Sequence, residues 1–282
     1  MICLFFSFVA GSKTMKTKAF TLIELLVVIA IIAVLMAILL PSLNLAKDQA
    51  NAIRCVSNIR ALTFGWLLYK DDYDAKMVGG HVGGTQNGNL MDWVDTPSTG
   101  AGDPIELKKE AVKRGLLWSY VKNTSVYRCP GDLRKMRPPQ YAFRSYSIAG
   151  TMFGEERFSN WSSRALWSYA EINNPALKYV FVEEIDPRGY NAGSWVMDPD
   201  GNNWIDVLAI WHNKRSTFSY ADGSAEKHRW VDQLTMDLAT RAGEGDTSVF
   251  NQTPPSDERE DIDFMHKGYQ LWPTKRDYTG RH

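Results

Sequence analysis

From Leu25 to Ala46 the chain has no charged side chain. A helix of about 22 residues at ~1.5 Å rise covers ~33 Å, the depth of a bilayer core. A helix buried in a soluble domain would keep a polar face, and this run has none. One acid, Glu24, stands at its start, and Lys13, Lys16 and Lys18 all lie on the same N-terminal side. By the positive-inside rule that end stays in the cytoplasm and everything after Pro41 lies outside it. A carboxylate in hydrocarbon costs ~2.5–3.5 kcal/mol on insertion scales, so Glu24 is expected to have a partner and a role.

Three readings compete for this segment. A secretory signal peptide needs a shorter apolar core followed by a small-residue cleavage site. A plain single-pass anchor leaves Glu24 without a role. The third reading rests on the residues around that acid. Ala19-Phe20-Thr21-Leu22-Ile23-Glu24, followed by the apolar run and Pro41, resembles the N-terminal leader segment of type IV pilins and of the pseudopilins of type II secretion. The resemblance implies that a prepilin peptidase cuts between Ala19 and Phe20 and methylates the new amino terminus on Phe20. Glu24 would then neutralise the Phe20 amine of a neighbouring subunit and set the register between subunits. Pro41 is expected to bend the helix, because proline removes a backbone hydrogen bond. In one place the chain departs from the family pattern: Ala19 replaces the usual Gly before the cut. Ahead of this, Ile2 to Ala10 is apolar with no preceding basic residue and makes a poor signal peptide. Met15-Lys16-Thr17-Lys18 reads as a natural start, the alternative being an extended leader; either way residues 1–19 are expected to be absent from the mature protein.

The implied organisation is a leader (1–19), a transmembrane helix (20–41), an amphipathic stalk helix (42–75), a globular head (76–240) and a polar C-terminal extension that docks back (241–282). The fold class is α+β, a pilin-like lollipop whose long N-terminal helix packs on an antiparallel β-sheet head with long loops. In the stalk, Ala52, Val56, Ile59, Leu62, Trp66, Tyr69 and Tyr73 recur every three or four residues, as one apolar stripe requires. Residues 79–104 and 186–206 are rich in Gly, Asn and Asp and read as loops, the first with short extended pieces. A short helix is expected over Glu106–Tyr120, and strands over Ala142–Ala149 and Tyr179–Glu184. Ser216–Ala221 and Ser224–Trp230 flank Asp222-Gly223, which suits a hairpin with a two-residue type I′ turn. Beyond Arg241 the chain is polar, with a Pro254-Pro255 break and an acidic patch. Phe264 to Trp272 is a short apolar return.

The hairpin carries a second family mark. His212, nine further residues and then Asp222-Gly223 resemble the H-X9-DG segment of planctomycete-type pseudopilin-like proteins, as does the turn Cys129-Pro130-Gly131-Asp132. A catalytic or metal role for His212 and Asp222 competes with a plainer one, in which His212 caps the strand and Asp222 serves the turn; the plainer one is preferred. Cys55 and Cys129 both fall outside the cytoplasm, where disulfides persist. A bridge between them is expected, and two buried thiols are the alternative. His81, His228 and His266 show no metal-ligand spacing. Asp198, Asp200, Asn202 and Asp206 form an oxygen-rich loop that could take calcium, although Gly201 is misplaced for an EF-hand; an Asx-turn loop is the preferred reading.

Several classes of function are disfavoured. The 32 basic and 32 acidic residues cancel to a formal charge of +0, and the leader holds three of the lysines, so nothing points to nucleic acid. Phosphate loops, nucleophile elbows and metalloprotease motifs are absent from the sequence. Glu183 and Glu184 are adjacent on a strand and point to opposite faces, so they do not make a catalytic pair.

The chain therefore reads as a structural subunit rather than an enzyme, with no required cofactor. Its expected partners are the prepilin peptidase, other pilin or pseudopilin subunits through the N-terminal helix, and the inner-membrane assembly platform. It would sit in the inner membrane with its head in the periplasm, or in an extracellular fibre. Two alternatives stay open. One is a membrane-tethered module binding polysaccharide or secreted cargo through Trp161, Trp167, Trp195, Trp204 and Trp211. The other is a surface hydrolase using His212 and Asp222.

Overall fold

The computed structural model describes residues 21–83, 85–86, 89–97, 104–136, 142–154, 165–189, 191 and 193–269. Ala19, Phe20, Trp161 and Trp272 therefore lie outside the described residues. The chain forms two compact units, Met1–Ala46 and Lys47–His282. The described part of the first unit is helical and belongs to α1 (Leu22–Asp72), a continuous helix that carries Pro41 inside it and runs on into the second unit. From Leu22 to Leu45 its large apolar side chains are exposed, and by length and composition it can cross a membrane.

Within the second unit α1 buries Ala52, Cys55, Ile59, Leu62, Trp66 and Tyr69. The stripe is the expected one with two corrections. Cys55 takes the buried place that the periodicity gave to Val56, which is half-buried. Tyr73 is exposed and stacks on Tyr69 with ring centroids 4.3 Å apart. Gly65 lets the helix approach closely, since a Cβ there would come within 2.4 Å of Val121.

The loop after α1 contains β1 (Gly79–Val82), β2 (Thr85–Gln86), β3 (Asn89–Leu90) and β4 (Asp92–Val94), with β1 parallel to β4 and β2 antiparallel to β3. The helix expected over Glu106–Tyr120 is α2 (Ile105–Arg114), followed at Gly115 by a separate 3₁₀ turn, Leu116–Ser119. At the interruption Gly115 is extended and its backbone packs so closely on β4 that a Cβ there would lie 2.1 Å from the Trp93 carbonyl oxygen. The head is built on an antiparallel sheet ordered β5 (Tyr146–Ile148), β6 (Tyr179–Glu183), β7 (Arg215–Tyr220) and β8 (Ala225–Arg229). Every residue of β6 is buried, as its β-branched and aromatic composition requires.

The β7–β8 hairpin forms where Asp-Gly placed it, but its turn differs from the expected one. Ser219 pairs with Ala225, Gly223 N–H donates to the Tyr220 carbonyl at 3.0 Å, and Tyr220 N–H to the Ser224 carbonyl at 2.9 Å. Of the loop residues Ala221, Asp222 and Gly223, only Gly223 has positive φ, at 92°. This is a three-residue loop ending in a left-handed glycine, whereas a type I′ turn needs two left-handed residues.

Two helices follow, α3 (Gln233–Glu244) and α4 (Glu260–Tyr269). The acidic patch opens α4, where Glu260, Asp261 and Asp263 complement the partial positive charge of the helix start. Ile262, Met265 and Tyr269 are buried, and a Cβ at Gly268 would meet the Tyr179 ring at 2.1 Å. Phe264 stacks on His228 of β8, with ring centroids 3.6 Å apart and planes at 11°.

Burial holds His228 below its ordinary histidine value, against the opposing pull of Glu226 and Glu260. The unfolded chain takes up this proton near ~6.5, while the folded chain resists it. Stability from this site is therefore intact above that pH and lost as pH falls toward the folded value. The thermal midpoint of the full chain is expected to drop more between pH 7 and pH 5 than that of His228→Gln. Parallel profiles would show that the ring takes up its proton at the same pH in both states.

Candidate functional site

Two places bring chemistry-bearing groups together. The first is the start of α1. Thr21 Oγ1 accepts from Glu24 N–H at 3.2 Å, while Glu24 Oε2 accepts from Thr21 N–H at 2.9 Å and from the Thr21 hydroxyl at 2.8 Å. This is a capping box, Thr-x-x-Glu, which satisfies helix-end donors reciprocally. Glu24 is exposed at this helix end.

The second place is buried in the second unit. Cys55 comes from α1, Cys129 from the turn after the 3₁₀ segment Thr124–Tyr127, Glu183 from the end of β6, and His212 from the segment leading into β7. The two Sγ atoms are 2.7 Å apart, both as thiols, and His212 Nε2 lies 3.1 Å from each. Glu183 Oε1 is 3.5 Å from the same nitrogen. The four donor atoms all fall within 4.8 Å of one another, and all four residues are buried.

Local structure holds each donor in place. Glu183 Oε2 accepts from Thr217 N–H at 2.8 Å across the sheet, and Gly131 N–H donates to Cys129 Sγ at 3.3 Å. Glu183 Oε1 and His212 Nδ1 have no hydrogen-bond partner among the described residues. Burial opposes the Cys55 thiolate, yet hydrogen bonds from Cys129 and His212 hold that thiol below its ordinary value. Burial, then the contact with Cys55, pushes the Cys129 thiol well up. Burial works to lower the His212 value, but Cys55 and Glu183 outweigh it and raise it to about 10.

The other expected groupings fare differently. Asp222 stands in the hairpin turn, where Oδ1 accepts from Ser224 N–H at 2.8 Å and from its hydroxyl at 2.6 Å. The length of β7 separates it from His212, so the two do not make a catalytic pair. In the oxygen-rich loop, Asp198 accepts from the Asp200 and Asn202 backbones, both at 3.1 Å, and Asp206 Oδ2 accepts from Val196 N–H at 2.7 Å. These are the contacts of an Asx-type loop. Trp195 and Trp204 are buried in the core, Trp211 is half-buried and Trp167 is exposed, so these described tryptophans do not share one exposed face.

Comparison with known proteins adds the following. A family model described as the prokaryotic N-terminal methylation motif matches residues 14–40. The type II secretion system core protein G of Escherichia coli (strain K12) is 36% identical over 151 residues, which covers 52% of this chain and 93% of that protein. The type IV wide pilus major component PilA4 of Thermus thermophilus is 65% identical over 36 residues, 13% of this chain and 28% of that protein. No solved structure matches the chain.

The turn that presents Cys129 rests on a buried ion pair. Asp132 accepts from Arg134 Nη2 at 2.8 Å, from Arg134 Nε at 3.1 Å and from the Ser145 hydroxyl at 2.6 Å. The same guanidinium reaches the carbonyls of Asp186, Arg144 and Glu184. Removing one partner of a buried pair leaves the other charge uncompensated. Asp132→Ala is expected to cost ~3–5 kcal/mol, read from denaturant unfolding of the full chain in detergent. A loss below ~1 kcal/mol would show that the carbonyls alone satisfy Arg134.

Proposed function

Since this chain belongs to the family of type IV pilins and type II secretion pseudopilins, we propose that it works as a structural filament subunit anchored by α1. The observation that carries the reading is the methylation motif joined to a helix whose large apolar side chains are exposed from Leu22 to Leu45, with Glu24 the one carboxylate of that stretch, at its start. Exposed apolar surface of that extent needs lipid or other helices to cover it. In a bilayer the lipid covers it; in a fibre, equivalent helices of other subunits do.

Processing would proceed on the cytoplasmic side, by cleavage between Ala19 and Phe20 and methylation of the Phe20 amine. The head would then lie outside the cytoplasm. Glu24 would supply the negative charge that meets the Phe20 amine of a neighbouring subunit as helices bundle. Both Thr21 contacts use Glu24 Oε2, so the cap can persist while Oε1 receives the amine. The chemistry belongs to the peptidase, and this chain contributes a substrate segment and an assembly surface.

Mass spectrometry of the membrane-extracted protein is expected to find a chain beginning at N-methylated Phe20. An uncut N-terminus would leave α1 as an anchor only. Glu24→Gln separates the two roles of that residue, because glutamine keeps the capping box and loses the charge. It is expected to insert in the membrane at the normal level while incorporation into filaments falls at least tenfold, scored by immunoblot of sheared fibres. Normal incorporation would remove the charge-pairing role.

A further inference from the structure

The buried cluster in the head is unexplained by filament assembly. We propose that Cys55, Cys129, His212 and Glu183 form a closed tetrahedral site for one divalent ion of the zinc class, fastening α1 to the sheet and to the Cys129 turn. The donor set favours that ion. Two thiolates, an imidazole and a carboxylate suit zinc, whereas calcium and magnesium take oxygen ligands. Each donor comes from a different segment, and no fifth group is needed to complete four-fold coordination.

The geometry is close to what the ion needs. Zinc–ligand bonds of ~2.0–2.3 Å place tetrahedral donors roughly 3.4–3.8 Å apart. The distances from His212 Nε2 to the two sulfurs are 3.1 Å and to Glu183 Oε1 3.5 Å. The sulfur pair, at 2.7 Å, has to open by about 1 Å to admit the ion. Burial of all four residues leaves no open position for water or substrate, which marks a structural rather than a catalytic site.

A second, independent observation is the fully buried Glu183 Oε1, which has no hydrogen-bond partner among the described residues and faces the cluster. A buried carboxylate oxygen without a partner is costly, and a cation removes that cost. A disulfide would consume both sulfurs and leave Oε1 only the His212 ring, 3.5 Å away. The ion engages all four groups at once. Thr217 N–H on the other Glu183 oxygen and Gly131 N–H on Cys129 provide the outer contacts that orient ligands. On binding, the protons on the two sulfurs and any on His212 Nε2 pass to solvent.

The test uses the full chain extracted in detergent under reducing conditions, loaded with Zn²⁺ and dialysed against metal-free buffer. Elemental analysis is expected to find one zinc per chain. Both thiols should resist alkylation until a chelator is added, and Co²⁺ in place of zinc should give the thiolate-to-cobalt charge-transfer and visible bands of a tetrahedral site. Glu183→Gln, which keeps the Thr217 hydrogen bond, is expected to bind zinc roughly 100-fold more weakly, and His212→Cys to retain it. Three results would overturn the proposal: a Cys55–Cys129 disulfide with no metal in freshly extracted protein that re-forms in preference to zinc binding, two reactive thiols with no zinc after loading, or undiminished affinity in Glu183→Gln. Should either variant fail to fold, the stoichiometry and cobalt spectrum of the unaltered chain decide the matter.

Discussion

A single helix has to satisfy two solvents. Up to Leu45, α1 buries none of its large apolar side chains within the chain, and from Ala52 onward it buries a stripe in a protein core. The stripe's alternating steps of three and four residues keep Cys55, Ile59, Leu62, Trp66 and Tyr69 on one face while Arg54 and Arg60 stay exposed. A shift of one residue would carry charge into the core, so the stripe fixes the rotation of the helix in the second unit. That rotation brings Asn58 to the Arg128 carbonyl at 3.1 Å, Asp72 to the Tyr120 hydroxyl at 2.7 Å, and the Cys55 sulfur to Cys129 and His212.

Legibility in the sequence followed the range of the interactions involved. The long helix, strand β6 and the hairpin were readable because each is specified by a run of neighbours: uncharged residues, β-branched and aromatic residues, and a turn dipeptide. Errors arose where a distant contact decided between local options. Val56 and Cys55 fit the apolar period almost equally, and only the convergence with Cys129 selects Cys55. Asp-Gly fits more than one hairpin loop, and the pairing of Ser219 with Ala225 selects the longer one. The segment after Trp230 gave no helix in the sequence, yet α3 forms there, with Leu238 and Ala242 buried and Gly245 closing it at φ 92°.

The cluster itself was beyond such reading. Metal motifs are recognised when ligands lie within a few residues, but Cys55 and Cys129 are 74 positions apart and Cys55 and His212 are 157 apart. Glu183 gave even less signal, because a glutamate ending an apolar strand reads as the strand's polar boundary. Its alternation with Glu184 was legible, and the two do diverge: Glu183 turns to the cluster, while Glu184 meets the charges of Asp206, Asp186 and Arg144. What the sequence could have offered was the coincidence of two cysteines with an isolated histidine just ahead of a hairpin signal.

The segment from His212 to Gly223 acquires a physical meaning in the fold. His212 and Asp222-Gly223 mark the two ends of one structural span: the histidine lies at the buried cluster, β7 follows, and the turn begins where β7 stops. The nine intervening residues measure the distance from the cluster to the hairpin turn. Shortening the interval by one would either withdraw the imidazole from the cysteines or flip the side chains of β7 to the other face of the sheet, since strand periodicity is two. Phe218 would then lose Tyr179 and Trp230 and displace the small buried Thr217 and Ser219 on the other face, and Thr217 N–H would no longer reach Glu183. The spacing is therefore constrained from both ends by a ligand-like side chain and a left-handed glycine, neither of which has to act on a substrate.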